Sequence, residues 1–185
     1  MEKYHHKYRV KSTRLTGWDY SSPGYYFITI SVRDPINCFG QIMGGIIELS
    51  DIGRITKECW ENIPVHFPFV VLDEFVVMPN HVHGIVVINT THNVETQNLA
   101  SLRNNKFGPQ SKNLGSIIRG FKIGVKKWAA MNNINFQWQS GFYEHIIRDE
   151  KSLRNIRQYI IKNPLKWEFD SENPDAKPCA WGSRY

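Results

Sequence analysis

The chain has 185 residues, 41% of them hydrophobic and 22% charged, which suits one compact domain whose core needs no disulfide or metal staple. Its net charge of +6 and pI near 9.2 point weakly to a polyanionic partner. Cys38, Cys59 and Cys179 lack paired spacing, MEKYHHKYRVKS lacks the apolar core of a signal peptide, and no apolar run approaches the roughly 18 residues of a membrane span; a soluble cytoplasmic protein is expected.

Residues 1–20 mix Lys, Arg and His with Tyr4, Tyr8, Trp18 and Tyr20 without a clear period, and read as an irregular basic arm occupying 1–23. From Gly24, YYFITISVRD is rich in aromatic and β-branched residues and ends at Asp34-Pro35, the pattern of a strand. FGQIMGGIIELS reads as a hairpin turning at Gly44-Gly45. Ser50 or Asp51 then caps a helix carrying Ile52, Ile55, Cys59 and Trp60, stopped near Pro64. The apolar run from Phe67 to Met78 predicts a strand, and Pro79-Asn80 turns it into a second, beginning at His81. Residues 89–112 are polar and patternless, as in a long loop. Leu114, Ile117, Ile118, Phe121, Val125 and Trp128 fall at helical spacing and predict a helix from Leu114 to Met131. FYEHIIR is a short strand, and Asp149 caps a final helix that runs to Asn163 and is halted by Pro164. Residues 168–185, rich in Pro, Trp and charge, read as an extended tail. This order of elements implies an α+β fold over 24–167: a ferredoxin-like antiparallel sheet with helices packed on it.

Three patterns carry chemistry. Side chains alternate along a strand, so His81 and His83 point to one face and Val82 to the other; two imidazoles placed so can converge on one cation, or simply be polar groups on a half-exposed strand. On the last helix, Leu153, Ile156, Ile160 and Ile161 form an apolar stripe, with Arg154, Asn155, Arg157, Gln158 and Lys162 looking outward. Tyr159 and Asn163 stack at the border of that stripe, where they can face a site between helix and sheet; a half-buried tyrosine with a wet hydroxyl and a helix-ending asparagine fit the same letters. The helix over 114–131 carries Arg119, Lys122, Lys126 and Lys127, either a solvated face or a phosphate-binding one.

Four blocks in this order and spacing, VVMPNHVHGIVVI, LGSIIRGFK, WQSGFYEHIIRDE and RNIRQYIIKNPLKW, resemble the REP-associated branch of the single-tyrosine transposases. That branch belongs to the HUH nucleases, named for histidine–hydrophobic–histidine, and the resemblance runs from Arg14 to Trp167. It implies that His81 and His83 hold a metal, that Asn163 adds an amide-type ligand, and that Tyr159 is the nucleophile. Tyr143 is the rival, disfavoured by its strand position and by the Tyr159–Asn163 spacing. The implied cofactor is Mg²⁺ or Mn²⁺, with mixed imidazole and oxygen ligation suiting Mn²⁺ somewhat better. The implied reaction is cleavage of single-stranded DNA beside an imperfect palindromic hairpin, through a 5′-phosphotyrosine that a second strand's 3′-hydroxyl can attack. Arg119, Lys122, Lys126, Lys127 and Lys162 would hold phosphates, and exposed aromatics would stack unpaired bases. Relatives include monomers and homodimers, so assembly stays open, as do the target sequence and whether this copy is mobile or serves its host. Two other readings remain: a non-catalytic module that grips single-stranded nucleic acid, and a metal-dependent hydrolase of small phosphoesters.

Overall fold

The computed structural model describes residues 15–34, 36–89, 112–170 and 172–176 in full, together with the backbone of 3–4 and 7–8. The patternless stretch lies outside these residues from 90 to 111, as do Pro35, Ser171 and the chain from 177 to 185. Within the arm expected to be irregular, β1 (Lys3–Tyr4) and β2 (Lys7–Tyr8) form a two-residue antiparallel ladder.

The elements then follow closely those expected. Strand β3 (Gly24–Ser31) leads to a hairpin of β4 (Gly40–Met43) and β5 (Ile46–Leu49), whose turn residues Gly44 and Gly45 have φ of 59° and 78°. Two consecutive positive φ values are what a tight hairpin turn of the type I′ class demands, and glycine adopts them without a steric penalty. Helix α1 (Asp51–Glu61) is capped by the Ser50 hydroxyl, which accepts from the Gly53 amide, and a short α2 (Ile63–His66) follows. Strands β6 (Val70–Val77) and β7 (His81–Ile88) pair antiparallel. Helix α3 (Leu114–Met131) begins with a reciprocal cap between Asn113 and Ser116. Strand β8 (Tyr143–Ile147) leads into α4 (Glu150–Lys162), capped by Asp149 accepting from the Ser152 amide at 2.8 Å.

The four-stranded sheet has the order β6-β7-β3-β8 with every neighbouring pair antiparallel, so β3-α1-β6-β7-α3-β8 is the ferredoxin-like βαββαβ path with one inserted hairpin. Its two crossover helices share one face. There Tyr26, Ile28, Ile30, Val82, Val86 and Ile88 from the strands meet Trp60 of α1 and Ile117, Phe121 and Val125 of α3 in the main core. The other face would be open but for α4, which buries Leu153 and Ile160 against Phe27, Ile85 and Val87. Two expectations about α4 change here. Ile161, placed in the apolar stripe, is 52% exposed, and Arg157, placed outward, reaches Asp73. After α4, Pro164–Phe169 is a 3-10 helix that buries Trp167, and within the segment expected as a tail from 168 onward Asn173 is buried.

Two local features of the sheet set which side chains reach α4 and how closely α1 can pack. A register shift between Leu72 and Phe75 puts both on the core face although they are three apart; Asp73 and Glu74 form the bulge between them, and Asp73 faces α4. Opposite Phe75, Gly84 leaves room for the Trp60 indole, since a Cβ added there would stand 2.3 Å from Trp60 Cζ2 and 3.0 Å from Phe75 Cβ. Trp60 is fully buried and cannot yield. Gly84→Ala should therefore cost about 1–3 kcal/mol of stability, as overpacking does, and a melting experiment on the purified chain reads it as a lower Tm.

Candidate active site

Strand alternation decides what β7 presents. Val82, Val86 and Ile88 enter the main core, which sends His81 and His83 to the α4 face, with Ser31 and Thr29 as their register partners on β3. Both imidazoles are buried, at 0% and 4% exposure, and their Nε2 atoms stand 3.0 Å apart.

The outer nitrogens are held by polar partners. Asn80 Oδ1 lies 2.8 Å from His81 Nδ1, while Asn80 Nδ2 donates to the Glu172 carbonyl at 2.5 Å. With the amide nitrogen engaged there, the oxygen must accept from the ring, so His81 carries its proton on Nδ1 and keeps the Nε2 lone pair toward His83. His83 Nδ1 is 2.9 Å from Thr29 Oγ1, a hydroxyl able to donate or accept, so this partner serves that ring nitrogen whether or not it carries the proton. Burial penalises the imidazolium and lowers the His81 pKa to about 4, against a smaller opposite pull from Asp170; burial and then His81 hold His83 well below its usual value. Two neutral imidazoles at pH 7 are the form that ligates a metal.

Helix α4 brings the phenol. The Tyr159 hydroxyl is 3.2 Å from His83 Nε2, and its ring packs edge-on against Phe27 and His83. Burial raises the phenol pKa above 10; Asp170 adds to the rise, and a hydrogen bond with Asn163 opposes it. Asn163, one turn after Tyr159, is 3% exposed, and its Oδ1 is buried without a hydrogen-bond partner. An orphaned acceptor at that depth costs about 1–3 kcal/mol unless something else satisfies it.

The donor set fits a hard or borderline divalent cation. Two donors at right angles on an octahedral ion about 2.1 Å away stand about 3.0 Å apart, whereas a tetrahedral zinc at about 2.0 Å would set them about 3.3 Å apart. The Nε2 pair has the shorter spacing, and the orphaned amide oxygen of Asn163 supplies a third donor of the hard kind. Among the described residues no cluster of three His, Cys, Asp or Glu side chains forms, and neither Cys38 nor Cys59 is bonded to another sulfur; burial raises both thiols, Cys38 to about 11.

The structure thus gathers His81, His83, Tyr159 and Asn163, and separates the rest of the expected set. Tyr143 shares the face, but it sits on the edge strand β8 with β3 between it and the histidine strand, and its ring lies 6.4 Å from Phe27. Arg119, Lys126 and Lys127 are exposed on α3, across the sheet from the imidazoles. Lys122 is occupied: its ammonium donates to the carbonyls of Gln139 (2.9 Å) and Gly141, it lies 5.8 Å from the centre of the Trp138 ring, and burial lowers its pKa to about 8. Lys162 is exposed on α4, in the layer of the site.

No protein-family model matches the chain. An uncharacterized protein of Haemophilus influenzae is 46% identical over 170 residues, covering 90% of this chain and 92% of its own. A second Haemophilus influenzae protein, whose name provisionally assigns it to the REP-associated tyrosine transposases, is 25% identical over 177 residues, covering 89% of this chain and 90% of its own. The solved structure of a REP-associated tyrosine transposase bound to a REP hairpin superposes with a TM-score of 0.54 at 20% identity, over 90% of this chain and 74% of that one, which shows a shared fold. The chain is thus similar over most of its length to a protein named for the REP-associated tyrosine transposases, and it shares the fold of a solved one.

Several residues that support the site were not visible in the sequence. Thr29 and Asn80 hold the outer faces of the two imidazoles, and Glu172 holds Asn80 from 92 residues away. The only local hint was that Asn80 precedes His81 directly. Arg157, two residues before Tyr159, grips both oxygens of Asp73, at 2.9 Å and 2.5 Å, and so fixes α4 against the bulge of β6. That guanidinium holds the Asp73 carboxyl below its usual pKa.

Proposed function

We propose that this chain cuts single-stranded DNA and rejoins it through a 5′-phosphotyrosine, with Tyr159 as nucleophile and Mg²⁺ or Mn²⁺ held by His81, His83 and Asn163. The observation that carries the reading is the approach of the Tyr159 hydroxyl to 3.2 Å from one of two buried imidazoles whose Nε2 atoms lie 3.0 Å apart. When bound, the cation would neutralise charge building on a phosphate oxygen as phosphorus becomes five-coordinate.

The residues of the chain do the rest. Tyr159 Oη attacks phosphorus, the Oη–P bond forms and the bond from phosphorus to the 3′ oxygen breaks. The phenol gives up its proton and the departing 3′ oxygen takes one up. What remains is a 5′-phosphate on Tyr159 and a free 3′-hydroxyl, and attack by another strand's 3′-hydroxyl reverses the step without ATP, because the energy of the phosphodiester is kept in the tyrosyl bond. Phe27 and the Asp73–Arg157 clamp hold the phenol in place while this occurs. Helix α4 packs against β6, leaving Tyr25 and Tyr143 exposed on the β3–β8 half of the same face, where unpaired bases can stack. The hairpin bound by the superposed transposase supports a hairpin-bearing substrate. Lys162 would meet phosphate near the cut, and Arg119, Lys126 and Lys127 phosphate farther off, across the sheet. No helix among the described residues is long and apolar enough to cross a membrane.

The clamp gives a prediction of its own. Asp73→Ala frees α4 to shift by a fraction of an ångström, and adduct formation should slow by about tenfold, since misplaced reacting groups lose rate steeply. Arg157 is partly exposed and can be hydrated, so the stability loss should be only about 1 kcal/mol. Single-turnover adduct kinetics beside a melting curve measure the two effects separately.

The proposal as a whole is tested with a labelled DNA hairpin carrying single-stranded flanks, run on a denaturing gel after incubation with Mn²⁺ or with EDTA. A protein–DNA adduct that needs the metal supports cleavage. Retained binding with no adduct in either lane would make the chain a single-strand binding module.

A further inference from the structure

Beside His81 lies a polar notch of about 130 Å³, lined by Ser31, Val32, Arg33, Asn80, Gln139 and Glu172. Its walls follow from the fold. Past the end of β3 the chain stays extended and pairs with residues 137–139: Val32 bridges Trp138, the Arg33 amide donates to the Gln137 carbonyl, and the Gln139 amide donates to the Ser31 carbonyl, both at 2.9 Å. Val32 and Trp138 are buried in the main core, so by alternation Ser31, Arg33 and Gln139 turn to the histidine face. Lys122 fixes this strap through the Gln139 and Gly141 carbonyls, and the Trp138 indole donates back to the Lys122 carbonyl. The floor is Asn80, whose amide is already committed to His81 and to Glu172.

The rim is built and chemically idle. Among the described residues the Arg33 guanidinium, the Gln139 amide and the Glu172 carboxylate have no hydrogen bond or ion pair with the protein. A notch meant for phosphate would present donors alone, and the Glu172 carboxylate would repel a phosphate here. Donors and acceptors mixed around a cavity the size of about four waters suit instead the edge of one flat heterocycle. Unpaired bases are splayed out and read in this manner.

We propose that the notch holds one unpaired base of the DNA strand adjoining the scissile phosphate, with Arg33, Gln139 and Glu172 on its edge. This rests on the cleavage reading and adds to it a base-selective subsite next to His81. Side-chain pairs to a base edge discriminate by about 5- to 150-fold. The test uses the full chain and labelled hairpin oligonucleotides in which a single abasic position is moved along the single-stranded flank, with affinity and adduct rate both measured. Wild type should lose at least about tenfold at one flanking position. In the Arg33→Ala/Gln139→Ala variant the intact oligonucleotide should already be weakened, and removing that base should cost no more than about twofold further. Arg33 and Gln139 are exposed, so the variant should melt with wild type. A uniform loss that leaves the abasic penalty intact, or no sensitive position at all, overturns the subsite. Affinity is read whether or not the strand is cut, so the absence of adduct on every oligonucleotide would count against cleavage alone.

Discussion

Tyr159→Phe should abolish the protein–DNA adduct, by at least about a thousandfold in single-turnover rate, while Tyr143→Phe leaves the rate within a few-fold of wild type. The difference follows from position. Tyr159 rises from α4 over the imidazole pair and has its oxygen 3.2 Å from His83 Nε2, whereas Tyr143 lies on the edge strand with β3 in between. Removing one oxygen from Tyr159 keeps the ring against Phe27 and should cost about 1 kcal/mol of stability, the worth of a single hydrogen bond. An inactive and folded Tyr159→Phe, with DNA affinity near wild type, is the expected result. An equal loss in Tyr143→Phe would move the nucleophile to the sheet edge.

The second large effect concerns the cation. Mn²⁺ should raise the Tm of the wild-type chain in the absence of DNA, since a ligand that binds only the folded state stabilises it by about 2.7 kcal/mol at a hundred times its Kd. His81→Gln and His83→Gln should each weaken Mn²⁺ binding by at least about a hundredfold, because each removes one of two converging nitrogens. Asn163→Leu separates function from stability. Its buried Oδ1 has no partner while its side chain hydrogen-bonds the Tyr159 phenol, so an apolar replacement of similar size removes one orphaned acceptor and one hydrogen bond and should leave the metal-free stability within about 1 kcal/mol of wild type. The same variant should lose most of the Mn²⁺-induced rise in Tm. Calorimetric titration and melting curves with and without Mn²⁺ decide between these outcomes. Full Mn²⁺ stabilisation retained in Asn163→Leu would make Asn163 a structural residue only.

Much of this arrangement was legible in the chain because its signals are local. The alternation of His81, Val82 and His83, the four-residue step from Tyr159 to Asn163, and the caps at Ser50 and Asp149 all depend on periods of a few residues, and each element formed where the pattern put it. What escaped depends on partners distant in sequence. The bulge at Asp73 and Glu74 changes which side of β6 faces α4, and thereby turns Arg157 from a solvated residue into a clamp. Asn80 meets Glu172 only because the chain after α4 folds back as a 3-10 helix, and a segment rich in Pro and charge carries no period to announce that. The basic face of α3 was correctly read as basic, but a helix pattern does not tell which side of a sheet it will cover; both crossover helices lie on one face, so three of its cations stand across the sheet from the histidines and Lys122 is used to hold the 139–141 strap. Ile161 fell inside the apolar stripe by spacing alone, yet the sheet offers α4 only a narrow strip and leaves that side chain outside.

The most direct test of the central claim is to trap the covalent product and locate the bond by mass spectrometry. After digestion of protein and DNA, the nucleotide mass should appear on the peptide that contains Tyr159, attached through a 5′-phosphate, with a free 3′-hydroxyl on the released strand. Nucleotide on any other tyrosine, or cut DNA bearing a free 5′-phosphate and no modified peptide, would contradict it.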